Sequence, residues 1–284
     1  MTKPLTMDIR TALKQAAARL ADVSDSPSLD ADILMCFVLA RPRGYLVAWG
    51  DQPLSSEQDE QFESYIERRG AGEPVAHITG QREFWSLNIE VNRHTLIPRP
   101  DTELLVETAL ELIPKKQTMM IVDLGTGSGA VGLAIAWERH QSHVTAVDNS
   151  FRALEMAKKN ARSLHIMNID YHEGDWCEPL GDERFQIIVS NPPYVPENDP
   201  HLQTTEIQYE PRRALAAGED GLDAIRAILQ QAPGHLYSGG WLLLEHGYDQ
   251  GDAVNIMMTG AGFQQVSTRT DLAGHPRVCL GQWP

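Results

Sequence analysis

The sequence has 284 residues, 42% of them hydrophobic, which is enough for two domains with buried cores, and its formal net charge of −15 argues against binding along a nucleic-acid backbone. Its three cysteines are too few and too scattered for a disulfide framework or a zinc site, so we expect reduced thiols and no bound metal. The sequence has neither a signal-peptide pattern nor an apolar run of membrane-spanning length, so we expect a cytoplasmic protein that does not bind membranes.

Residues 1–80 are predicted to form a small helical domain. Apolar residues recur at helical spacing from Ile9 to Leu20 and from Ile33 to Val38, and Ser55 begins a third amphipathic segment. Glycines and a proline after Arg69 mark the end of this domain. Four aromatic residues in it fit either core packing or recognition of a partner protein: Phe37, Tyr45, Trp49 and Phe62.

Residues 81–100 are predicted to be a β-hairpin linker between two domains. Apolar and polar residues alternate from Trp85 to Asn92, which indicates a half-buried strand. Residues 92–94 would supply a turn, and residues 95–97 would return as a short second strand.

A helix is predicted to follow the Pro98–Glu103 segment and to run to about Ile113. The two prolines keep the approach extended, and Asp101 or Thr102 can cap the helix. Two apolar residues before it would form the wall of a ligand pocket: Leu96 and Ile97.

Residues 101–284 are predicted to form an α/β domain, because strands alternate with helices as in a mostly parallel sheet. The last two strands follow each other without a helix and should pair as an antiparallel hairpin. Seven strands are predicted near residues 118–123, 143–148, 169–172, 185–190, 240–246, 263–270 and 277–282. Helices are predicted near residues 129–139, 151–164, 221–232 and 250–259.

The segment Ile121–Gly132 reads IVDLGTGSGAVG and predicts a strand, a glycine turn and a helix N-terminus that suit a nucleotide-like cofactor. Gly127, Gly129 and Gly132 also match the dinucleotide fingerprint, which keeps a dehydrogenase open at this point. Asp123 stands directly before the turn, where its charge would repel a pyrophosphate but attract the ammonium and sulfonium groups of S-adenosylmethionine.

Further polar residues follow the next strands of the predicted sheet. Asp148 comes roughly 20 residues after the turn, where an acid can bind ribose hydroxyls. After a later strand, Asp175 could accept from an adenine amino group and Trp176 could flank the ring, with packing under a loop as the alternative for Trp176. Because ligands bind at the carboxyl ends of parallel strands, these residues should meet at one edge of the sheet.

The tetrapeptide Asn191-Pro192-Pro193-Tyr194 ends another buried strand and favours methyl transfer to an amino or amide nitrogen. Neither proline has an N–H, so carbonyl groups there are free to face a ligand, and Asn191 is held extended by the proline that follows it. The Asn191 oxygen and the Pro192 carbonyl could each accept one hydrogen of an NH₂ group, and Tyr194 could stack on the planar group. The long irregular stretch at residues 195–215 is predicted to be a lid.

Several segments together resemble the bacterial family of methyltransferases that modify the glutamine of the Gly-Gly-Gln loop in class-one peptide chain release factors. The similarity covers essentially the whole chain, beginning with the helical N-terminal domain. The asparagine-proline motif alone also occurs in DNA-adenine and ribosomal-guanine methyltransferases, whereas the other motifs are specific to this family. They read REFWSLNIEV, LIPRPDTE, VDLGTGSGA, VSNPPYV, YEPRRAL and LLLEHG.

The resemblance implies a Rossmann-like S-adenosylmethionine-dependent methyltransferase domain preceded by a small helical substrate-recognition domain. It also implies that release factors are the protein substrate. We expect a monomer, and the negative charge predicts no stable nucleic-acid partner. The cofactor would be bound by Asp123, Gly125, Thr126, Gly127, Ser128, Gly129, Asp148, Asp175, Trp176 and Asn191. The glutamine amide would be held by Asn191, Pro192, Pro193 and Tyr194, of which Asn191, Pro192 and Tyr194 would be catalytic.

Two other functions stay open on the sequence alone. One is an amino-group methyltransferase acting on DNA adenine or ribosomal RNA guanine, which the negative charge disfavours. The other is a cofactor-binding interaction module without catalysis.

Overall fold

The computed structural model describes residues 7–284, and the chain forms two compact units, residues 1–80 and 81–284. The first six residues of the predicted helical domain therefore lie outside the described part. Residues 81–100, which we expected to link two domains, are grouped with the second unit.

The first unit is helical. Its helices are α1 (Ile9–Leu20), α2 (Pro27–Leu39), α3 (Arg43–Ala48), α4 (Ser56–Gly70) and α5 (Val75–Thr79). Ser55 and Gln58 form a reciprocal capping box at the start of α4, which fixes where this helix begins. The short helices α3 and α5 have too few turns to show a helical period, and the sequence did not predict them.

Apolar faces of these helices form the core of the first unit, around Leu20, Leu34 and Phe62, all of which are fully buried. Of the four aromatic residues that the sequence left open, Phe62 belongs to this core and Tyr45 packs against it. Phe37 and Trp49 lie at the surface, with 37% and 52% of each residue exposed.

The second unit begins with the hairpin of β1 (Gln81–Phe84) and β2 (Leu87–Glu90). The predicted turn at residues 92–94 is confirmed, because the Thr95 N–H donates to the Asn92 carbonyl at 3.1 Å. The predicted strand at residues 95–97 is wrong, because the partner of β2 is β1. The chain reverses at Trp85 and Ser86, whose φ angles of 53° and 59° are both in the left-handed region. Hairpin turns of this kind usually contain Asn or Gly, so Trp-Ser gave no signal in the sequence.

The main sheet confirms the predicted fold class. Its strands are β3 (Met120–Leu124), β4 (His143–Asp148), β5 (Ile169–Glu173), β6 (Phe185–Ser190), β7 (Leu236–Glu245), β8 (Gln264–Thr270) and β9 (Pro276–Gln282). Their order in the sheet is β5-β4-β3-β6-β7-β9-β8, in which β3 to β7 are parallel to one another and β9 is antiparallel to both β7 and β8. Strand order reverses at β3, which places a ligand crevice at its carboxyl end.

The helices of this unit are α6 (Glu103–Leu112), α7 (Ala130–Glu138), α8 (Phe151–Ser163), α9 (Asp223–Gln231) and α10 (Gly251–Gly260). The central strands are mostly apolar, and residues such as Val122, Ile188 and Leu242 are fully buried because helices cover both faces. The strand β7 begins four residues earlier than predicted. Its first part contains Gly239 and Gly240, which weaken the strand pattern in the sequence, and its register with β6 shifts there. Among residues 7–284, no helix is both long enough and apolar enough to cross a membrane.

Candidate active site

The glycine turn joins β3 to α7 and forms the floor of a cavity, which we call the first cavity. The N–H groups of Gly125 and Thr126 both donate to the Val147 carbonyl, at 2.8 and 2.9 Å, so the turn is tied to the neighbouring strand β4. Gly129 has a φ of 88°, and a Cβ there would lie 2.9 Å from Leu133 Cδ1. The left-handed φ favours glycine at this position, and a Cβ would also come within 3.1 Å of Ala157 Cβ, so glycine lets the turn pack closely against α8.

The expected cofactor residues around the turn divide into two groups. Gly125 and Gly127 line the first cavity. Thr126 and Ser128 are 7% and 3% exposed, and together with Gly129 they give the turn its shape. Their direct contact with a cofactor stays a prediction.

Asp123 is 1% exposed and braces the turn from below. Its Oδ2 accepts hydrogen bonds from the Thr126 hydroxyl at 2.6 Å and from the Gly132 N–H at 2.9 Å. Burial raises the pKa of this carboxyl to about 6. The attraction of Asp123 to an ammonium or sulfonium group stays a prediction, while its hydrogen bonds give it a structural role that the sequence did not indicate.

Asp148 lines the first cavity at the end of β4. Its Oδ2 accepts from the Gly127 N–H at 2.8 Å and its Oδ1 from the Ser150 N–H at 2.9 Å. Burial raises the pKa of Asp148, although these two backbone donors favour the charged form. A carboxylate held rigidly in this way can accept from paired hydroxyls such as those of a ribose.

Asp175 and Trp176 form the opposite side of the first cavity. Asn149 Nδ2 donates to Asp175 Oδ1 at 2.7 Å and fixes that carboxylate. A Cβ on Gly125 would come within 3.4 Å of Trp176 Cζ3, so the indole ring lies directly over the glycine turn. The ring thus serves as a cavity wall, which is the arrangement that a planar heterocycle can stack on.

The Asn191–Tyr194 tetrapeptide follows β6 and separates the first cavity from a second one. The Ser190 hydroxyl donates to the Leu124 carbonyl at 2.7 Å and ties the end of β6 to the end of β3. Asn191 and Pro193 line both cavities, whereas Pro192 and Tyr194 line the second. This placement agrees with the expectation that the tetrapeptide lies beside the glycine turn.

Tyr194 is held at both of its ends. Its carbonyl accepts from Gln250 Nε2 at 3.0 Å, and its hydroxyl lies 3.4 Å from Glu245 Oε1. Burial raises the pKa of the phenol well above its usual range, so Tyr194 is neutral. The stacking of its ring on a substrate amide stays a prediction.

Thr102 does not cap the helix α6, and neither does Asp101. The structure gives α6 no side-chain cap, and Asp101 forms an ion pair with Arg277, at 2.9 Å. Thr102 is 3% exposed, and its Oγ1 accepts a hydrogen bond from Asn191 Nδ2 at 3.0 Å. The capping prediction is wrong because a short 3₁₀ turn at residues 100–102 carries Thr102 inward towards Asn191.

The irregular stretch at residues 195–215 is packed against the segment before α6. Glu210 is 6% exposed, accepts from the Ile97 N–H at 2.8 Å and forms an ion pair with Arg99. Arg213 lines the first cavity and donates to the Ser150 hydroxyl. The lid role stays a prediction.

Some cavity residues were not singled out from the sequence. The clearest are Arg213 and His94 in the first cavity and Arg277 and Gln250 in the second. Leu96 lines both cavities, as expected of a pocket wall, while Ile97 is buried in the core.

Two family models match the chain. The model described as the PrmC N-terminal domain matches residues 11–80, and the one described as the methyltransferase small domain matches residues 100–218. The release factor glutamine methyltransferase of Vibrio cholerae is 49% identical over 98% of this chain and 98% of its own length. The enzyme of the same name from Coxiella burnetii is 46% identical over 97% of this chain and 99% of its own length.

A solved structure shows the same fold. It is a 16S rRNA methyltransferase of T. thermophilus in complex with AdoMet and guanosine, with a TM-score of 0.53 and 18% identity over 72% of this chain and 50% of that one. The match is too distant in sequence to show more than the fold. The family models and the close relatives show that this protein belongs to the family of release factor glutamine methyltransferases, which makes it a methyltransferase that uses S-adenosylmethionine.

Proposed function

We propose that the protein transfers a methyl group from S-adenosylmethionine to the side-chain amide nitrogen of the glutamine in the Gly-Gly-Gln loop of class-one release factors. The observation that carries this proposal is the position of Asn191, which lines both cavities, so that a donor in one and an amide in the other would meet at its side chain. Family membership supplies the choice of substrate. We also propose that the protein acts as a cytoplasmic monomer.

The first cavity suits S-adenosylmethionine. Gly125 has no side chain, so the Trp176 ring can lie close over the glycine turn, and a Cβ at that position would come within 3.4 Å of the ring. Asp148 offers a fixed carboxylate for the ribose, and Asp175 and Trp176 would hold the adenine. When bound there, the cofactor supplies an electrophilic methyl group on a sulfonium centre.

Asn191 and Pro192 would hold the accepting amide. The Asn191 side-chain oxygen and the Pro192 carbonyl would each accept one hydrogen of the glutamine NH₂ group. An amide nitrogen is a weak nucleophile because its lone pair is delocalised, and holding both hydrogens out of the amide plane favours the rehybridised nitrogen of the transition state. These contacts also aim the lone pair, and such orientation is worth several powers of ten in rate.

The remaining residues of the second cavity would fix the glutamine in place. Leu96 and Pro193 provide apolar wall shared by the two cavities, which limits the access of water to the reacting atoms. Tyr194, neutral and held by Gln250 and Glu245, would flank the planar amide. The two oxygens that hold the amide are weak bases, and they suffice because a methylated amide nitrogen that still carries both hydrogens is strongly acidic.

A methyl-transfer assay tests the proposal. The protein is incubated with S-adenosylmethionine labelled on its methyl group and with a class-one release factor, or with a release factor whose loop glutamine is replaced by alanine. We expect label in the first factor and none in the second. Equal labelling of both would refute the proposal, and labelling of ribosomal RNA or DNA in preference to the factor would favour the nucleic-acid alternative.

A variant of Asn191 separates catalysis from binding. Asn191→Ala should lose turnover and still bind the cofactor, because its side chain is only one part of the first cavity wall. Asn191→Asp is the matched variant, since it keeps an acceptor oxygen at the same place. Full activity of Asn191→Ala would contradict the proposed role of this residue, and cofactor binding without any transfer by the wild-type protein would favour a non-catalytic module.

A further inference from the structure

We propose that Thr102 and Glu245 are positioning residues that orient the side-chain amide of Asn191, so that its oxygen rather than its nitrogen faces the accepting amide. This inference rests on the proposed function of Asn191. It concerns two residues that come from different parts of the chain, one at the start of α6 and one at the end of β7.

The three side chains form a row that leads from the interior to the cavities. Glu245 is 1% exposed and lies at the inner end of the row, and the Tyr194 hydroxyl lies 3.4 Å from its Oε1. The Thr102 hydroxyl acts on the same carboxyl as a hydrogen-bond donor that lowers its pKa and so favours its charged form. Thr102 is 3% exposed, and its Oγ1 lies 3.0 Å from Asn191 Nδ2. Asn191 ends the row at the boundary of both cavities.

The direction of the hydrogen bonds follows from the charge at the inner end. An ionised carboxylate can only accept, so the Thr102 hydroxyl must donate its single hydrogen to Glu245. The Thr102 oxygen is then left to accept, and the Asn191 amide must turn its NH₂ group towards it. The Asn191 oxygen consequently faces the cavities, where it can accept from the substrate.

A neutral Glu245 would allow the opposite direction. A protonated carboxyl can donate to Thr102, and the Thr102 hydroxyl could then donate to the Asn191 oxygen and draw it away from the substrate. Burial raises the pKa of Glu245 to about 7, so this change falls in an accessible pH range. Productive orientation of Asn191 is therefore favoured above about pH 7 and weakened below it.

The charged groups around Glu245 belong to several elements. Arg277 on β9 favours the charged form of Glu245 and Asp101 before α6 disfavours it, while these two residues form an ion pair with each other. Asp271 also pairs with Arg277, at 3.1 Å. His246 follows Glu245 in the chain but bonds elsewhere, to the Gly247 carbonyl and to Cys279 Sγ, and burial lowers its pKa.

The second carboxylate oxygen of Glu245 is unfavourable for folding stability. Glu245 Oε2 is buried and makes no hydrogen bond within the described part of the chain. A buried polar atom without a partner destabilises a protein, and an apolar side chain of similar size would avoid this. A carboxylate at this position is therefore explained better by the hydrogen-bond direction that it imposes than by stability.

The test removes the hydroxyl of Thr102, the middle residue of the row. Thr102→Val keeps the shape of the side chain but deletes the hydroxyl, and Thr102→Ser restores the hydroxyl. The matched control is Thr108→Val, which deletes another buried hydroxyl of α6, one that donates to the Leu104 carbonyl at 2.7 Å. Turnover under saturating conditions, the cofactor dissociation constant, and the dependence of turnover on pH are measured for each protein.

We expect kcat of Thr102→Val to fall about tenfold, which corresponds to the loss of one orienting hydrogen bond, with cofactor affinity unchanged. Thr102→Ser should recover most of this turnover, and Thr108→Val should match the wild type. Wild-type turnover should also decline below about pH 7, and Thr102→Val should lack this decline because Asn191 no longer senses Glu245. A purely structural role for Thr102 would lower stability without changing the pH profile.

Asn191→Ala distinguishes failure of this inference from failure of the proposed function. If Asn191→Ala loses turnover while Thr102→Val keeps wild-type turnover and the same pH profile, the positioning role is wrong and the proposed function stands. If Asn191→Ala keeps full turnover, both are wrong. In the double variant, loss of Thr102 should have no further effect on turnover, because the residue through which it acts is absent.

Discussion

Gly221 lies against the carbonyl group of Tyr194, and replacing it with alanine should disturb the tetrapeptide Asn191–Tyr194, for which we propose a catalytic role. Its φ is 76°, a conformation that costs an alanine about 1–2 kcal/mol. The added Cβ would lie 2.2 Å from the Tyr194 carbonyl oxygen and 2.8 Å from Gln250 Nε2, so the backbone must move by about 0.8 Å to restore a tolerable separation of 3.0 Å. Overpacking of this kind costs about 1–3 kcal/mol more.

We therefore expect Gly221→Ala to lose about 2–5 kcal/mol of folding free energy. Turnover should fall about 100-fold, because a displacement of about 1 Å near the reacting atoms has an effect of that size. The moving carbonyl belongs to Tyr194, three residues after Asn191, and it also loses its hydrogen bond from Gln250.

Urea denaturation followed by circular dichroism measures the first quantity, and methyl transfer to a release factor at saturating substrate measures the second. The matched control is Gly260→Ala at the end of α10, where an added Cβ has no atom within 4 Å and the backbone is not left-handed. This control should be unchanged or more stable by about 0.5–1 kcal/mol, with wild-type turnover. If Gly221→Ala behaves like Gly260→Ala, the close approach described for Gly221 does not constrain the site.

Glu210→Ala should lower the free energy of unfolding by about 2–4 kcal/mol, because the buried Ile97 N–H loses a charged acceptor at 2.8 Å. Urea denaturation beside Glu210→Gln, which keeps an acceptor oxygen, checks this, and an equal loss in both variants would contradict the explanation. Asp123→Asn should remove one pH-dependent part of stability. Burial raises the pKa of Asp123 from 3.8 to about 6, so the folded state holds this proton more tightly than the unfolded chain and the wild type loses stability as the pH rises through that interval. Thermal unfolding measured between pH 3.8 and about 6 should show stability that falls with pH more steeply in the wild type than in the variant. Parallel curves of stability against pH would contradict this effect of Asp123. Trp176→Ala should weaken S-adenosylmethionine binding about tenfold by removing the wall of the first cavity, whereas Trp137→Ala, which removes an indole on α7 that is 44% exposed, should not. Calorimetry measures both, and unchanged affinity in both variants would exclude Trp176 as the adenine wall.

The sheet could be predicted from the sequence because each of its central strands is mostly apolar and is followed by a polar or glycine residue. Phe185–Ser190 is an example, and its bounds agree with the prediction. The early hairpin could not be predicted correctly, since its turn contains Trp85 and Ser86 rather than residues that favour positive φ. The local sequence pattern therefore predicts strands that are buried along their length. It does not predict a turn whose unusual backbone conformation is adopted by residues that rarely have positive φ.

The candidate site could be predicted only in part, because some of its residues are placed by contacts between distant parts of the chain. Asp148 ends β4 and Asn191 directly follows β6, so topology alone brings them to one edge of the sheet. The hydrogen bond between Asn191 and Thr102 joins residues 89 positions apart, and a threonine before a helix gives a stronger local signal for capping than for such a contact. Glu210 lies in an irregular stretch, and no sequence period shows that its carboxylate turns inward to the Ile97 N–H.

The wall shared by the two cavities has a consequence for inhibitor design. Leu96, Asn191, Pro193 and Ala214 contact both spaces, so a compound that joins an adenosine unit to a glutamine-like amide could occupy them together. Tethering would make binding of the second half an intramolecular event at millimolar effective concentration, and affinity would exceed that of either half by a factor of about 100 or more. Selectivity over other methyl-transferring enzymes would come from the amide half, because only that half enters the space beyond Asn191.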